Sequence, residues 1–159
     1  MTVKKHKILF VEDYPETVEV LEDIFEDYED YEVTFKTTAE EGLAFLQENL
    51  DIECIFLDHN LPGMSGLAFL KEQLKIESIK DIPVIMQTMQ SEKYFPAYIS
   101  VDSAVVYFLQ KPYKISQIME SLEAVINKEN TPKLKEEMKA KIVQAKNNEL
   151  TDGVYGGYS

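Results

Sequence analysis

A chain of 159 residues with 45% hydrophobic content is enough for one domain with a real core and too short for two ordinary ones. Its formal charge of -13 argues against nucleic acid as a partner, because that affinity depends on Lys and Arg neutralising phosphates. The single cysteine, Cys54, lies in an apolar run and has no internal disulfide partner, which fits a reducing compartment. Lys4, Lys5 and Lys7 precede only four consecutive apolar residues, below the length of a signal-peptide core, and no segment is long enough to span a membrane. A cytoplasmic protein is expected.

Strand-like and helix-like patterns then alternate, the signature of βα units on a parallel sheet. Residues 7–12 (KILFVE) read as a strand buried on both faces, and Val18, Leu21, Ile24, Phe25 and Tyr28 follow at helical spacing. Residues 31–37 alternate with period two, as in a strand nearer a sheet edge. Thr38 with Glu41 forms a capping box for a helix carried by Leu43, Leu46 and Leu50. Residues 52–57 are the third strand. Leu61-Pro62-Gly63 is turn chemistry, and Ser65 caps a helix carrying Leu67, Leu70 and Leu74. Strands at 83–86 and 104–109 complete the sheet. Between them, Pro96 would break any helix through 91–101, so the fourth helix is expected to be short, late or irregular. Ile115, Ile118, Met119, Leu122 and Val125 mark an amphipathic helix. Beyond Thr131-Pro132, Leu134, Met138, Ile142 and Ala145 mark a lysine-rich helical extension. The domain is bounded at 1–130 and the extension at 131–150, with a glycine- and tyrosine-containing tail at 151–159 expected to be disordered.

Three acids stand where strands should end: Glu12 and Asp13 after the first, Asp58 after the third. The later runs end in Thr88 and in Lys111-Pro112. In an open parallel sheet, the C-terminal strand ends line the crevice where ligands bind. Each residue has an ordinary alternative. Asp13, Pro15 and Glu16 could form a helix start, Asp58 and Asn60 could be turn formers, Thr88 could be a strand residue and Lys111 a solvated charge. Two like charges about 4 Å apart cost roughly 4 kcal/mol at an effective dielectric near 20, whereas a cap returns about 1 kcal/mol. Clustered carboxylates are therefore poor structural glue but a good site for a hard divalent cation such as Mg²⁺. An ammonium and a hydroxyl beside them suit phosphoryl transfer to a carboxylate nucleophile, with Asp58 the candidate.

These motifs resemble the receiver domains of two-component response regulators, most nearly the stand-alone chemotaxis-regulator type. Glu12-Asp13 is similar to the family's acid pair, Asp58 to its phosphoacceptor, and Leu61-Pro62-Gly63-Met64-Ser65-Gly66 to the segment that follows it. The run at 82–88 resembles the strand that ends in the switch hydroxyl, Thr88. Lys111-Pro112 resembles the phosphate-neutralising lysine with its cis proline, and Phe108 falls at the switch aromatic. The likeness spans residues 7–127. It implies an α/β fold with a doubly wound five-stranded parallel sheet in flavodoxin-like order 2-1-3-4-5 and helices on both faces. It also implies Mg²⁺ held by Glu12, Asp13, Asp58 and the main-chain carbonyl of Asn60. The phosphoryl donor would be a sensor histidine kinase or a histidine phosphotransfer protein.

The implied function is a single-domain response regulator, phosphorylated on Asp58 with help from Lys111 and Thr88. It would promote only its own phosphorylation and dephosphorylation and would signal to a downstream protein. In the resemblance, movement of Thr88 toward the phosphate opens space that Phe108 enters. About thirty residues follow the receiver segment, too few for an ordinary output domain. The extension reads as a solvated helix or as a docking or dimerising one, so a homodimer is a further expectation. Two departures stand out: Met89, where the family usually carries a small residue, should narrow the pocket, and 94–99 form an aromatic, proline-broken segment. His59 reads as a loop side chain modulating access, and His6 as a surface residue. The rival readings are a phosphorylation-independent adaptor, an aspartyl-phosphate phosphatase and, less apt, a flavodoxin-like cofactor protein.

Overall fold

The structure, a computed structural model, describes residues 4–91, 93 and 95–152. Five strands, β1 (His6–Val11), β2 (Tyr31–Lys36), β3 (Cys54–Asp58), β4 (Val84–Thr88) and β5 (Val105–Gln110), form one parallel sheet in the order β2-β1-β3-β4-β5. Around it run α1 (Pro15–Glu26), α2 (Ala39–Glu48), α3 (Gly66–Leu74), α4 (Ile115–Ile126) and α5 (Thr131–Asp152). The alternating pattern predicted the parallel sheet, and the doubly wound α/β order is the one the resemblance implied. The edge strand β2 is only half-buried, whereas β3 and β4 are buried along their whole length, as their unbroken apolar runs require.

Side chains alternate across each strand and feed two cores. Ile8 and Phe10 of β1 join Phe56, Ile85 and Leu109 beneath α1 and α4, with the Phe10 and Phe56 rings stacked at 4.3 Å. Leu9 and Val11 join Leu57, Met86 and Phe108 beneath α2 and α3. Helix starts follow the expected chemistry: Thr38 Oγ1 accepts from the Glu41 amide and Ser65 Oγ from the Ala68 amide, both at 3.1 Å.

The connection from β4 to β5 holds no α-helix among its described residues, only a 3₁₀ turn, Phe95–Tyr98. Pro96 has no N–H to donate, and the turn is too short to cover β5. α5 supplies that cover. It returns over the second face, where Met138, Ile142 and Ala145 are buried against β5 and the 3₁₀ turn. The extension is thus part of the layer on the α2–α3 side. It runs to Asp152, two residues past the sequence-based boundary; residues 153–159, expected as a disordered tail, lie outside the described residues.

Candidate functional site

Strand register brings the acids together. Val11 pairs with Leu57, so Glu12 follows β1 beside the point where β3 ends in Asp58; Asp58 pairs with Gln87, one residue before Thr88, and Thr88 pairs with Gln110, one residue before Lys111. Four adjacent strands therefore deliver their terminal side chains to one rim. Carboxylate oxygens of Glu12, Asp13 and Asp58 all lie within 4.8 Å of one another. The Lys111 ammonium stands 3.1 Å from Asp58 Oδ2 and 3.5 Å from Glu12 Oε1. The Lys111–Pro112 bond is cis, and the Lys111 amide donates to the Thr88 carbonyl at 2.8 Å.

Asp13 does not cap α1. The N-cap is Tyr14, with no side-chain hydrogen bond, and Pro15 fills the first turn, so the Asp13 carboxylate is left to the acidic cluster. Asp58 does carry out a turn role, because its Oδ1 accepts from the Asn60 amide at 3.0 Å. Its Oδ2 belongs to the ion pair. Gly66 closes the loop that follows: its amide donates to the His59 carbonyl, and a Cβ there would lie 2.6 Å from the Asp58 carbonyl oxygen. Gly63, at φ +72°, makes the left-handed turn in the same loop.

Burial and mutual repulsion set the electrostatics. Glu12 is almost wholly buried, and burial first, then the neighbouring Asp58, pushes its pKa up to about 8 despite Lys111. Its Oε2 is buried without a hydrogen-bond partner. A hard cation held by Glu12, Asp13 and Asp58 would satisfy that oxygen and relieve the repulsion, so the donor set fits Mg²⁺.

Thr88 is buried, and its hydroxyl accepts from the Gln90 amide at 2.9 Å. Phe108 is buried too, with its ring 6.0 Å from Phe95. It lies under the face that α5 covers. Met89 is 69% exposed and stands on the lip of an open groove with Tyr14, Val20, Lys111 and Ile115. His59 is not a loop side chain governing access: its ring is buried edge-on against Phe95 at 4.7 Å, and burial lowers its pKa despite the Asp58 charge. His6 is half-buried, with Nδ1 2.9 Å from Glu53 Oε2.

Two residues that the sequence reading did not single out join the site. The Tyr113 hydroxyl donates to Gln87 Oε1, and burial, followed by the charges of Glu12 and Asp58, raises the Tyr113 pKa. The available signal was a polar residue, Gln87, inside an otherwise apolar strand.

Residues 8–123 match the family model of the response regulator receiver domain. No curated protein matches the chain. Among solved structures, chemotaxis protein CheY4 of Vibrio cholerae is 26% identical with a TM-score of 0.67, covering 76% of this chain and 98% of its own. The signal receiver domain of a signal transduction histidine kinase from Syntrophus aciditrophicus is 26% identical, TM-score 0.66, covering 77% of this chain and 91% of its own. The receiver domain of a sensor histidine kinase from Pseudomonas aeruginosa PAO1 shares the fold at 22% identity and TM-score 0.67, covering 77% of this chain and 98% of its own. That structure holds a magnesium ion coordinated in its active-site cleft. Among the described residues here, no helix is long and apolar enough to cross a membrane.

Proposed function

The chain belongs to the response regulator receiver domain family, and from that premise we propose that it takes a phosphoryl group from a phosphohistidine onto Asp58 and passes the change of state to a partner protein. The donor is a sensor histidine kinase or a histidine phosphotransfer protein. One observation carries the reading: a single ammonium, Lys111 Nζ, reaches both Asp58 and Glu12 inside a cluster of three carboxylates.

The roles follow from position. The Asp58 carboxylate forms the new O–P bond as the P–N bond to the donor imidazole breaks, and the imidazole leaves with the bonding electron pair. Glu12, Asp13, Asp58 and the Asn60 carbonyl hold Mg²⁺, which supplies neutralising charge to the phosphoryl oxygens when bound. Lys111 exchanges its carboxylate partner for a phosphoryl oxygen, and the Thr88 hydroxyl turns from the Gln90 amide toward the same group. Such charge-assisted bonds are roughly twice as strong as neutral ones, which supports a switch driven by several at once. The chain works on itself alone, gaining and losing its own phosphoryl group.

Incubation with phosphoramidate and Mg²⁺ followed by intact-mass measurement tests this. One phosphoryl adduct, lost in Asp58→Asn, is the expected result. The same measurement decides against the rival reading, an adaptor that works without phosphorylation: no adduct on the wild-type chain leaves the adaptor standing.

A further inference from the structure

β4 carries one polar side chain in its interior. Val84, Ile85 and Met86 are apolar and buried, whereas Gln87 is polar and only 1% exposed. Its Oε1 accepts from the Tyr113 hydroxyl, and its Nε2 is buried without a partner among the described residues. A half-satisfied amide stabilises a buried strand less than an aliphatic side chain of similar size would. Stability therefore does not account for Gln87.

Placement does. Phe56, Ile85 and Leu109 face α1 and α4, so alternation along the strands turns Asp58 and Gln87 to that same face. Asp58 pairs with Gln87, and Gln87 pairs with Leu109, two residues before Lys111. The connection from β5 to α4, residues 111–114, is tied to β4 by two hydrogen bonds, and they end on consecutive strand residues. The Lys111 amide donates to the Thr88 carbonyl at 2.8 Å, and the Tyr113 hydroxyl donates to Gln87 Oε1. Pro112, between them, has no N–H with which to add a third. Lys111 thus stands on a segment pinned at its start and two residues later, and its ammonium lies 3.1 Å from Asp58 Oδ2 and 3.5 Å from Glu12 Oε1. Tyr113 also packs, partly buried, against the core beneath α1 and α4. Apolar contact sets its depth without direction, whereas the hydrogen bond sets its orientation too.

We infer that Gln87 and Tyr113 are positioning residues for phosphoryl transfer: their hydrogen bond fixes the 111–114 connection on β4 and thereby holds the Lys111 ammonium at Asp58. The inference rests on the reading of Asp58 as phosphoacceptor and adds to it a buried polar pair. Both residues act through Lys111 rather than on the phosphoryl group.

The test times phosphoryl adduct formation on the full chain, with phosphoramidate and Mg²⁺, by intact mass. Tyr113→Phe and Gln87→Met should each slow it by about ten-fold, because a misplaced catalytic group loses rate steeply. The double variant should be no slower than either single one, since all three lose the same bond. Its urea midpoint should recover toward wild type while its rate does not; a rate that recovers with the midpoint makes the pair structural only and overturns the inference. In a Lys111→Met background, Tyr113→Phe should slow the reaction further by less than about two-fold, and a full additional loss would mean that Tyr113 acts by another route. Slowing in Gln87→Met with none in Tyr113→Phe would assign Gln87 a direct contact with the phosphoryl group and overturn it as well. Calorimetric Mg²⁺ titration reads the ammonium without any donor. A loosened Lys111 offsets the carboxylates less, so Tyr113→Phe should bind Mg²⁺ about two-fold more tightly, and not so in the Lys111→Met background. Unchanged affinity in Tyr113→Phe counts against the inference. A wild-type chain that forms no adduct sinks the phosphoacceptor reading, and the Mg²⁺ titration still decides whether the pair places Lys111. Should either single variant fail to fold, the double variant, with its apolar pair, carries both measurements.

Discussion

The His59 ring meets the Phe95 ring edge-on at 4.7 Å, so the residue after Asp58 touches the first residue of the 3₁₀ turn beneath α5. Phe95 in turn lies 6.0 Å from Phe108 and 6.5 Å from Tyr98. The acidic pocket and the α5-covered face thus share a continuous aromatic contact. Such rings add about 0.5–1.5 kcal/mol beyond area burial when they interact edge to face. A double-mutant cycle of His59→Ala with Phe95→Leu should give a coupling energy of that order in urea unfolding. Additive effects would mean the two rings are neighbours without being partners.

Lys111 offsets charge that otherwise only a cation would offset. With Lys111→Met, the carboxylates lose their internal ammonium, so Mg²⁺ should bind several-fold more tightly by calorimetric titration. Phosphoryl adduct formation should still slow by at least ten-fold, since the donor's oxygens lose a counter-charge. Weaker Mg²⁺ binding in this variant would contradict the view that ammonium and cation relieve the same repulsion.

For Glu12 the pH dependence has a definite sign. Its folded pKa, about 8, exceeds the 4.5 of a free glutamate carboxyl, so the native state holds a proton that the unfolded state has released between those limits. Stability from this group is complete below about pH 4.5 and falls as pH rises toward about 8. Without Mg²⁺, the melting temperature should drop across that window relative to Glu12→Gln. Mg²⁺ requires the ionised carboxylate, so the gain in melting temperature on adding it should be larger at pH 8 than at pH 6. The reverse order would show that Glu12 does not serve the metal site.

Gly66 has no room for a side chain, since a Cβ would sit 2.6 Å from the Asp58 carbonyl oxygen and 2.9 Å from His59 Cα, both backbone atoms. The loop in Gly66→Ala must shift away from β3, at a cost of about 1–3 kcal/mol, typical of overpacking. Chemical denaturation should show that loss together with weaker Mg²⁺ binding. An unchanged midpoint would mean the loop has slack that its hydrogen bonds do not suggest.

Tyr113→Phe removes the donor that, among the described residues, Gln87 Oε1 has, in a strand where Gln87 Nε2 is already buried without a partner among those residues. A buried polar group left unsatisfied costs about 1–3 kcal/mol. Replacing Gln87 with Met as well should recover part of that loss, because an apolar pair of similar shape needs no hydrogen bond. Measurement of both unfolding midpoints decides it.

Local chemistry was enough to read most of the sheet and the acidic rim. Apolar runs too short for helices, each ending in an acid, a hydroxyl or a lysine, are written in consecutive residues, and parallel pairing brings such ends together. Asp13 is instructive: Pro15 and Glu16 made a helix start as good a reading, and only the cap at Tyr14 released its carboxylate for the cluster. Packing decided the rest. The burial of His59, the exposure of Met89 and the enclosure of Phe108 depend on which neighbour fills which space, and no pattern along the chain carries that information.

The sequence by itself determined the alternation of strands and helices, the helix break at Pro96 and the chemical identity of the groups at the strand ends, because these depend on neighbours within a few residues. Tertiary structure alone decided that Lys111 reaches both Asp58 and Glu12 and that α5 folds back to occupy the face left open between β4 and β5. The physical reason is separation along the chain. A contact between residues far apart in sequence is selected by competing ways of burying apolar surface in the whole fold, and α5 covers the face beside the short 3₁₀ turn of the crossover.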